Sequence, residues 1–396
     1  MSSNHRLRLA ITGGSRGSVY RKVAAALPEQ VELVAFCDQK PDVLARWKEE
    51  TPNLTLYSSF EKMLDDPNID AVILATPMQM HARQSVQVMQ AGKHVLCEVA
   101  AADNIEDCWK LVEAVEQTGM TYMMAENFCF LRVNMMIKNM VEQGAFGELT
   151  HAECGYIHDV RGATHTPDGA ILWRGQLLRD FDGINYPTHS MGPMAQWLGI
   201  NRTDFLDYIV AISSKTASLT DYYAQKFGED HPGTKAEYWK QGDSTLSLIR
   251  TRGGVVIYLR NDFSSPRPWN YTFNALQGTE GAFESGREIY ENPVAWLREG
   301  ETHSSAARWK PLTDFAAQYD HPAWIKDGEI AMQTSNLAEY FVLQEFATAI
   351  AEKRVPVFDV YDAVTVSSVF PLSVQSINKN GAPVKFPNFT KNKKTL

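Results

Sequence analysis

The chain has 396 residues, with 38 Lys and Arg against 47 Asp and Glu and a net charge of −9. That balance argues against nucleic acid and anionic membrane as partners, since both are polyanions that call for a basic face. At roughly 100–200 residues per domain the length predicts two domains or three, and 44% hydrophobic with 11% aromatic residues is enough to fill their cores.

The first third alternates short β-rich runs with helical patterns, the sequence form of successive βαβ units on a parallel sheet. Strands are predicted at Leu7–Ile11, Val31–Cys37, Ala71–Ala75, His94–Cys97 and Thr121–Ala125. Between them, apolar residues recur at helical spacing over Ser18–Ala26, Val43–Glu50, Phe60–Leu64, Ala82–Ala91 and Ile105–Thr118. The expectation is an α/β chain whose residues 1–125 form a Rossmann dinucleotide-binding domain. After a predicted helix at Val133–Gln143, longer alternating segments follow at Glu148–Tyr156, Tyr208–Ser213, Thr245–Thr251, Val255–Asp262 and Tyr271–Gln277. Turns such as Gly253-Gly254 join them, which predicts a large, mostly antiparallel sheet. With a helix at Leu337–Glu352 and a polar tail from Thr390, residues 126–396 read as an α+β domain for substrate binding and oligomerisation.

Five cysteines (Cys37, Cys97, Cys108, Cys129, Cys154) make an odd number without CxxC spacing, so neither a disulfide framework nor a thiolate zinc site is favoured. The start of the chain has no signal-length apolar run, and no window approaches the roughly 18 apolar residues of a membrane span. The expectation is a soluble, cytoplasmic protein with reduced thiols.

The turn after the first strand reads Thr12-Gly13-Gly14-Ser15-Arg16-Gly17, a GxGxxG pattern with Thr12 at the first glycine. Gly14 allows close backbone approach to a pyrophosphate and Gly17 allows close helix packing. Ser15 and Arg16 lie in the same turn, and the N-terminus of the helix after it offers free N–H groups to the anion. A plain structural turn reads the same way. Asp38, at the end of the second strand, stands where an acidic residue holds the adenosine ribose and disfavours a 2′-phosphate, so NAD is expected over NADP. Arg16 stays open between a 2′-phosphate, the pyrophosphate and the adenine face.

Ala75-Thr76-Pro77 with His81, then Gly92-Lys93-His94-Val95-Leu96-Cys97-Glu98, resemble the third and fourth βα units of the glucose-fructose oxidoreductase/inositol dehydrogenase/MocA superfamily. Its dehydrogenases carry Glu-Lys-Pro after the fourth strand, whereas this chain reads Glu98-Val99-Ala100-Ala101-Ala102. That segment is similar to the Glu-Val-Pro-Ala-Ala of the NAD-dependent α-N-acetylgalactosaminidases, a glycosidase branch of the same fold. Glu126-Asn127, Gly155-Tyr156-Ile157-His158-Asp159, Trp173-Arg174, Tyr186-Pro187-Thr188-His189 and Ser265-Pro266-Arg267-Pro268 agree with it in order.

The resemblance implies cofactor contacts from Arg16, Gly17, Asp38, Thr76, Met78 through His81, Glu98, Val99, Asn127 and Tyr186. It implies substrate contacts from Tyr156, Arg174, Tyr186, Pro187, Thr188 and His189. Two positions depart from the branch: Trp269 stands for a tyrosine on the substrate side, and Ser335 for a histidine. The implied mechanism oxidises the sugar at C3, eliminates the aglycone from C1, adds water and reduces the ketone again.

Such chemistry needs proton carriers. His189 is the first choice as general acid/base, with Tyr186 and Tyr156 as further carriers and Glu126 at the end of a parallel strand as another. Packed aromatic and structural roles are the plain alternatives for each. Arg174 can hold sugar hydroxyls or an anionic group through its planar fork, or pair with a surface carboxylate. No histidine shows metal-ligand spacing, so no metal is expected. The expected ligand is a small glycoside: an N-acetylgalactosaminide, or, given Arg161, Arg174, Arg179 and Arg267, an anionic one such as a sulfoquinovoside. A homodimer or homotetramer is expected by resemblance. An NAD-dependent sugar or polyol dehydrogenase and a non-catalytic NAD-binding sensor are the competing functions.

Overall fold

The computed structural model describes residues 6–390 apart from 269, 289, 299 and 301–306. The chain divides into two compact units. One holds the residues through Arg132, Pro322–Ser367 and the end from Phe389; the other holds Val133–His321 and Ser368–Asn388.

The first unit is built on six strands, β1 (Leu7–Thr12), β2 (Val31–Cys37), β3 (Thr55–Tyr57), β4 (Ala71–Leu74), β5 (His94–Cys97) and β6 (Tyr122–Met124). They pair in the order β3-β2-β1-β4-β5-β6, all parallel. Helices α1 (Gly17–Ala25), α2 (Pro41–Glu50), α3 (Phe60–Leu64), α4 (His81–Gln90) and α5 (Ile105–Thr118) make the crossovers. β4 and β6 are buried at every position, as continuous apolar runs in a two-faced parallel sheet should be. Trp47 of α2 stacks on Phe36 of β2 with ring centroids 3.7 Å apart. The strand order reverses direction between β1 and β4, which places the ligand crevice at their C-terminal ends. Three later helices, Pro322–Gln333, Leu337–Ala351 and Val360–Ser367, complete this unit. Ser367 Oγ accepts the Ala101 N–H at 3.1 Å, and Trp324 Nε1 donates to the Phe130 carbonyl at 3.1 Å.

The second unit opens with α6 (Arg132–Glu142) and carries a nine-stranded sheet. Its strands are β7 (Leu149–Ile157), β8 (Leu206–Ser213), β9 (Ser244–Thr251), β10 (Val256–Asp262), β11 (Asn270–Gly278), β12 (Gly281–Glu284), β13 (Val294–Leu297), β14 (Lys310–Pro311) and β15 (Val384–Lys385). The order is β14-β13-β12-β11-β7-β10-β9-β8-β15, with β7 and β10 parallel and the other pairs antiparallel. Helices α7 (Trp173–Asp180) and α8 (Thr188–Trp197) follow β7, and α9 (Ser218–Phe227) follows β8. α8 is nearly all buried, and Trp197 at its end donates from Nε1 to the Asn134 carbonyl at 3.0 Å. The helix Val369–Asn378 covers one sheet face, with Ser376 Oγ accepting the Ala211 N–H at 2.9 Å. On the alternate positions Ile212 and Leu248 remain 58% and 51% exposed.

None of the five cysteines forms a disulfide and all are buried. No helix among the described residues is long and apolar enough to cross a membrane.

Candidate active site

The glycine-rich turn follows β1 as the sequence predicts. Gly13 has φ +94°, and a Cβ there would collide with the Ala75 carbonyl oxygen. A Cβ on Gly14 would meet Val43, so only glycine leaves this cradle open. Asp38 accepts the Gly14 N–H at 2.8 Å and the Lys40 N–H at 2.9 Å, which fixes its carboxylate beside the turn. Its remaining lone pairs suit ribose hydroxyls, and its charge disfavours a 2′-phosphate. Ser15 is exposed at the start of α1, and Gly17 is buried against Ile11.

The loops after β4 and β5 are tied together. Thr76 Oγ1 donates to Gln84 at 2.6 Å, Met78 is buried, and His81 places its two ring nitrogens 2.8 Å from the Thr76 and Ala100 carbonyls. His81 is 1% exposed. Burial works against its charge, but Cys97 and the two carbonyls outweigh it and raise the imidazole to about 9. The structure therefore commits His81 to holding these loops. Val99 is buried with Ala100, Ala101 and Ala102.

Arg16 does not lie free for a phosphate. Its Nε donates to Glu98 at 2.8 Å and its Nη2 to Glu339 at 2.7 Å. Tyr20 donates to the same Glu98 oxygen at 2.8 Å, and Asn127 Nδ2 to the same Glu339 oxygen at 3.0 Å. Burial opposes the charge on Arg16, but Glu98 and Glu339 outweigh it and hold its pKa above the ordinary value. Glu339, on the helix Leu337–Ala351, escapes sequence reasoning because that helix is apolar over most of its surface and one acid in it reads as solvated. Glu126 is fully buried and caps the turn Asn127–Phe130, its Oε1 accepting the Phe128 N–H at 3.1 Å.

In the second unit a cavity of about 380 Å³ is lined by Tyr156, His158, Trp173, Arg174, Tyr186 and Phe263 among others. Tyr156 near the end of β7 and His158 two residues on share a face and a hydrogen bond, Oη to Nδ1 at 3.0 Å. Tyr186 and His189 are the two partly exposed residues of the segment 183–190, where Pro187 and Thr188 are buried. The ring of His189 lies 5.1 Å from Tyr156 and 5.4 Å from Tyr186, and the two tyrosine rings lie 5.8 Å apart. The three predicted residues Tyr156, Tyr186 and His189 thus come together from segments far apart in the chain, and His158 joins them.

Burial lowers His158 to about 4, with His189 and Arg174 adding to the effect and Asp159 opposing it. His158 is therefore a neutral imidazole at neutral pH. The period-two spacing from Tyr156 was the signal that could have marked it. Arg174 lies over the Trp173 ring at 4.2 Å and forms no ion pair among the described residues. Arg161 is held by both oxygens of Asp159 at 2.8 Å, and Arg179 by Asp180 at 2.7 Å, so neither is available as a pocket charge. Arg267 is exposed, Ser335 is exposed with φ +58° before the helix Leu337–Ala351, and Trp269 lies outside the described residues.

The cradle at Gly13 and Gly14, the oriented Asp38 and a buried Asn127 oxygen fit a dinucleotide. A parallel doubly wound sheet with this turn defines an NAD-binding oxidoreductase domain. The comparisons agree: residues 7–126 match the oxidoreductase family with NAD-binding Rossmann fold, and residues 130–395 match the C-terminal domain of glycosyl hydrolase 109. A glycosyl hydrolase family 109 protein of Solibacter usitatus (strain Ellin6076) is 35% identical, covering 96% of this chain and 87% of its own. One from Stenotrophomonas maltophilia (strain K279a) is 33% identical over 97% and 89%. Among solved structures, levoglucosan dehydrogenase in complex with NADH and levoglucosan superposes with a TM-score of 0.76 at 20% identity, covering 97% of this chain and 100% of that one. An oxidoreductase domain protein from Kribbella flavida gives 0.75 at 17%, covering 97% and 100%. The chain belongs to glycosyl hydrolase family 109, on the glucose-fructose oxidoreductase/inositol dehydrogenase/MocA fold, and its cofactor is NAD.

Proposed function

We propose that this enzyme hydrolyses a hexoside by transient oxidation at C3, elimination of the aglycone from C1, water addition and re-reduction. The observation that carries the reading is what lines the cavity. Direct displacement uses two carboxyl groups across the glycosidic bond. Here Asp159 is the single carboxylate among the described lining residues, and Arg161 takes both its oxygens. Phenol and imidazole groups stand in its place, which suits proton transfer to and from a sugar ring rather than attack at C1.

When bound, NAD supplies a reversible two-electron acceptor for the ring carbon. Gly13, Gly14, Asp38 and Asn127 are the residues that would hold it. His189 acts as general acid/base through its imidazole, which lies against both tyrosine rings. Tyr156 and Tyr186, both within ring contact of His189, carry protons between it and the sugar. A neutral His158 orients the Tyr156 hydroxyl. Arg174 binds ring substituents. With no carboxylate among the described residues neutralising it, an anionic group such as the sulfonate of a sulfoquinovoside is its best partner, and an N-acetylgalactosaminide the alternative.

Residues 1–125 serve as the cofactor domain, extended by the segments through Arg132 and Pro322–Ser367 that pack in the same unit, and the rest of 126–396 serves as the substrate and oligomerisation domain. The exposed Ile212 and Leu248 support self-association through the open sheet face, as a homodimer or homotetramer in the cytoplasm. The test is a panel of N-acetylated, neutral and sulfonated aryl glycosides with substoichiometric NAD in deuterium oxide. Repeated release of aglycone, no net NADH and deuterium at C2 of the product are expected. NADH formed in proportion to product would make the enzyme a sugar dehydrogenase, and product unlabelled at C2 would refute elimination.

A further inference from the structure

Asn127 carries the amide whose orientation the structure determines. Its Nδ2 donates to Glu339 Oε1 at 3.0 Å. A carboxylate only accepts hydrogen bonds, so this contact decides which end of the amide is nitrogen. Asn127 Oδ1 is then the other end, and it is buried with no hydrogen-bond partner among the described residues. A buried carbonyl oxygen in that condition is rare in a folded protein and marks a place where a donor is expected.

Glu339 is itself 7% exposed and lies in the first turn of the helix Leu337–Ala351, where the helix dipole favours a negative charge. The oxygen that holds Asn127 also accepts Arg16 Nη2 at 2.7 Å. On its other side Arg16 is held by Glu98, which Tyr20 holds in turn. Two nearly buried carboxylates, Glu98 and Glu339, thus share one guanidinium and hold it in place. Arg16 belongs to the glycine-rich turn, so the chain of contacts runs from that turn to the Asn127 amide.

We propose that Glu339 is a positioning residue for NAD: it holds the Asn127 amide so that Oδ1 accepts a hydrogen bond from a hydroxyl or amide N–H of the dinucleotide, and ties that acceptor to the glycine-rich turn through Arg16. The inference rests on NAD binding at the Rossmann domain and not on the choice between hydrolase and dehydrogenase. Binding of NAD by the wild type, read without any glycoside, tests that premise separately.

The experiment titrates full-length protein with NAD and follows tryptophan fluorescence, with thermal unfolding as the control for folding. Glu339→Leu and Asn127→Leu are each expected to weaken NAD at least tenfold, and Glu339→Gln, which keeps shape while letting the amide rotate, about three- to tenfold. The double variant is expected to lose no more than the weaker-binding single, because both act through one contact. Repeating the series with 3-acetylpyridine adenine dinucleotide, which lacks the carboxamide N–H, identifies the donor. A penalty that disappears assigns the nicotinamide carboxamide, and one that persists assigns a ribose hydroxyl. Glu339 variants that bind NAD within twofold of wild type would overturn the inference. So would fully additive losses in the double variant, or a loss confined to Glu339 with Asn127→Leu unchanged.

Discussion

His81 sets a pH limit on the Rossmann unit that can be worked out from two contacts. Its ring nitrogens lie 2.8 Å from the carbonyl oxygens of Ala100 and Thr76. A neutral imidazole has one N–H and would point a lone pair at one of these oxygens; the imidazolium donates to both. The folded-state pKa is accordingly raised from 6.5 to about 9, burial opposing and Cys97 with the two carbonyls prevailing. A raised pKa contributes stability that is full below the unfolded value of 6.5 and is lost as pH rises through about 9. At ~1.4 kcal/mol per pH unit the contribution is roughly 3 kcal/mol. The perturbation is His81→Gln, which keeps one donor and does not titrate. Urea unfolding of wild type and variant between pH 6 and pH 10 gives the stability difference at each pH, and groups common to both proteins cancel. The wild-type advantage is expected to shrink by about 2–3 kcal/mol across that range. A difference that stays constant would show that His81 is neutral in the fold and that one of its two carbonyl contacts is not a hydrogen bond.

Other changes follow from the geometry. His158 is lowered from 6.5 to about 4, so its contribution is full above 6.5 and lost as pH falls to about 4; allowing for solvent screening this is about 1–2 kcal/mol, seen as a flatter acid limb in His158→Asn. Gly13→Ala forces a side chain into a left-handed backbone against the Ala75 carbonyl; a loss of about 1–3 kcal/mol by denaturant unfolding is expected, with NAD binding abolished. Arg174→Leu should raise KM about 10- to 100-fold with a smaller change in kcat, and Arg174→Lys should not restore it if both arms of the fork are used. His189→Ala should lower kcat about 10²–10⁴-fold while NAD affinity measured by titration stays unchanged.

Much of the fold could be read in advance because apolar periodicity reports burial directly. The parallel strands β2 and β5 and the helices α3 and α5 lie where the patterns put them. β3 was missed because three residues, none of them buried, cannot display an alternation. β14 and β15 are the two short edge strands of the larger sheet and β13 is the four-residue strand next to β14, with the same difficulty. α8 gives no amphipathic signal because nearly every position is buried and Pro193 interrupts it. At the site, residue types were legible but their engagement was not. Arg16, Arg161 and Arg174 look alike in a sequence; among the described residues two are clasped by carboxylates and one is not, and that depends on chain segments as distant as Glu339. His81 and His189 are likewise both single histidines, and only the carbonyls around the first show that it serves the scaffold.

The segment after β5 bears on which reaction this chain can run. Glu98 is engaged by Arg16 and Tyr20, and the next four residues, Val99 through Ala102, are apolar and at most 5% exposed. None of those four side chains carries a titratable group, so the segment contributes shape and no acid/base group. A reaction that removes a hydroxyl proton, takes a second proton from carbon and protonates a leaving oxygen then depends on side chains elsewhere. The cavity gathers two phenols and a neutral imidazole, with the His189 imidazole against both phenols. A simple alcohol dehydrogenation needs one base; a cycle of oxidation, elimination and re-reduction needs several groups that give protons back as readily as they take them. The groups around Tyr156 are of the number and kind that the proposed cycle of oxidation, elimination and re-reduction would use.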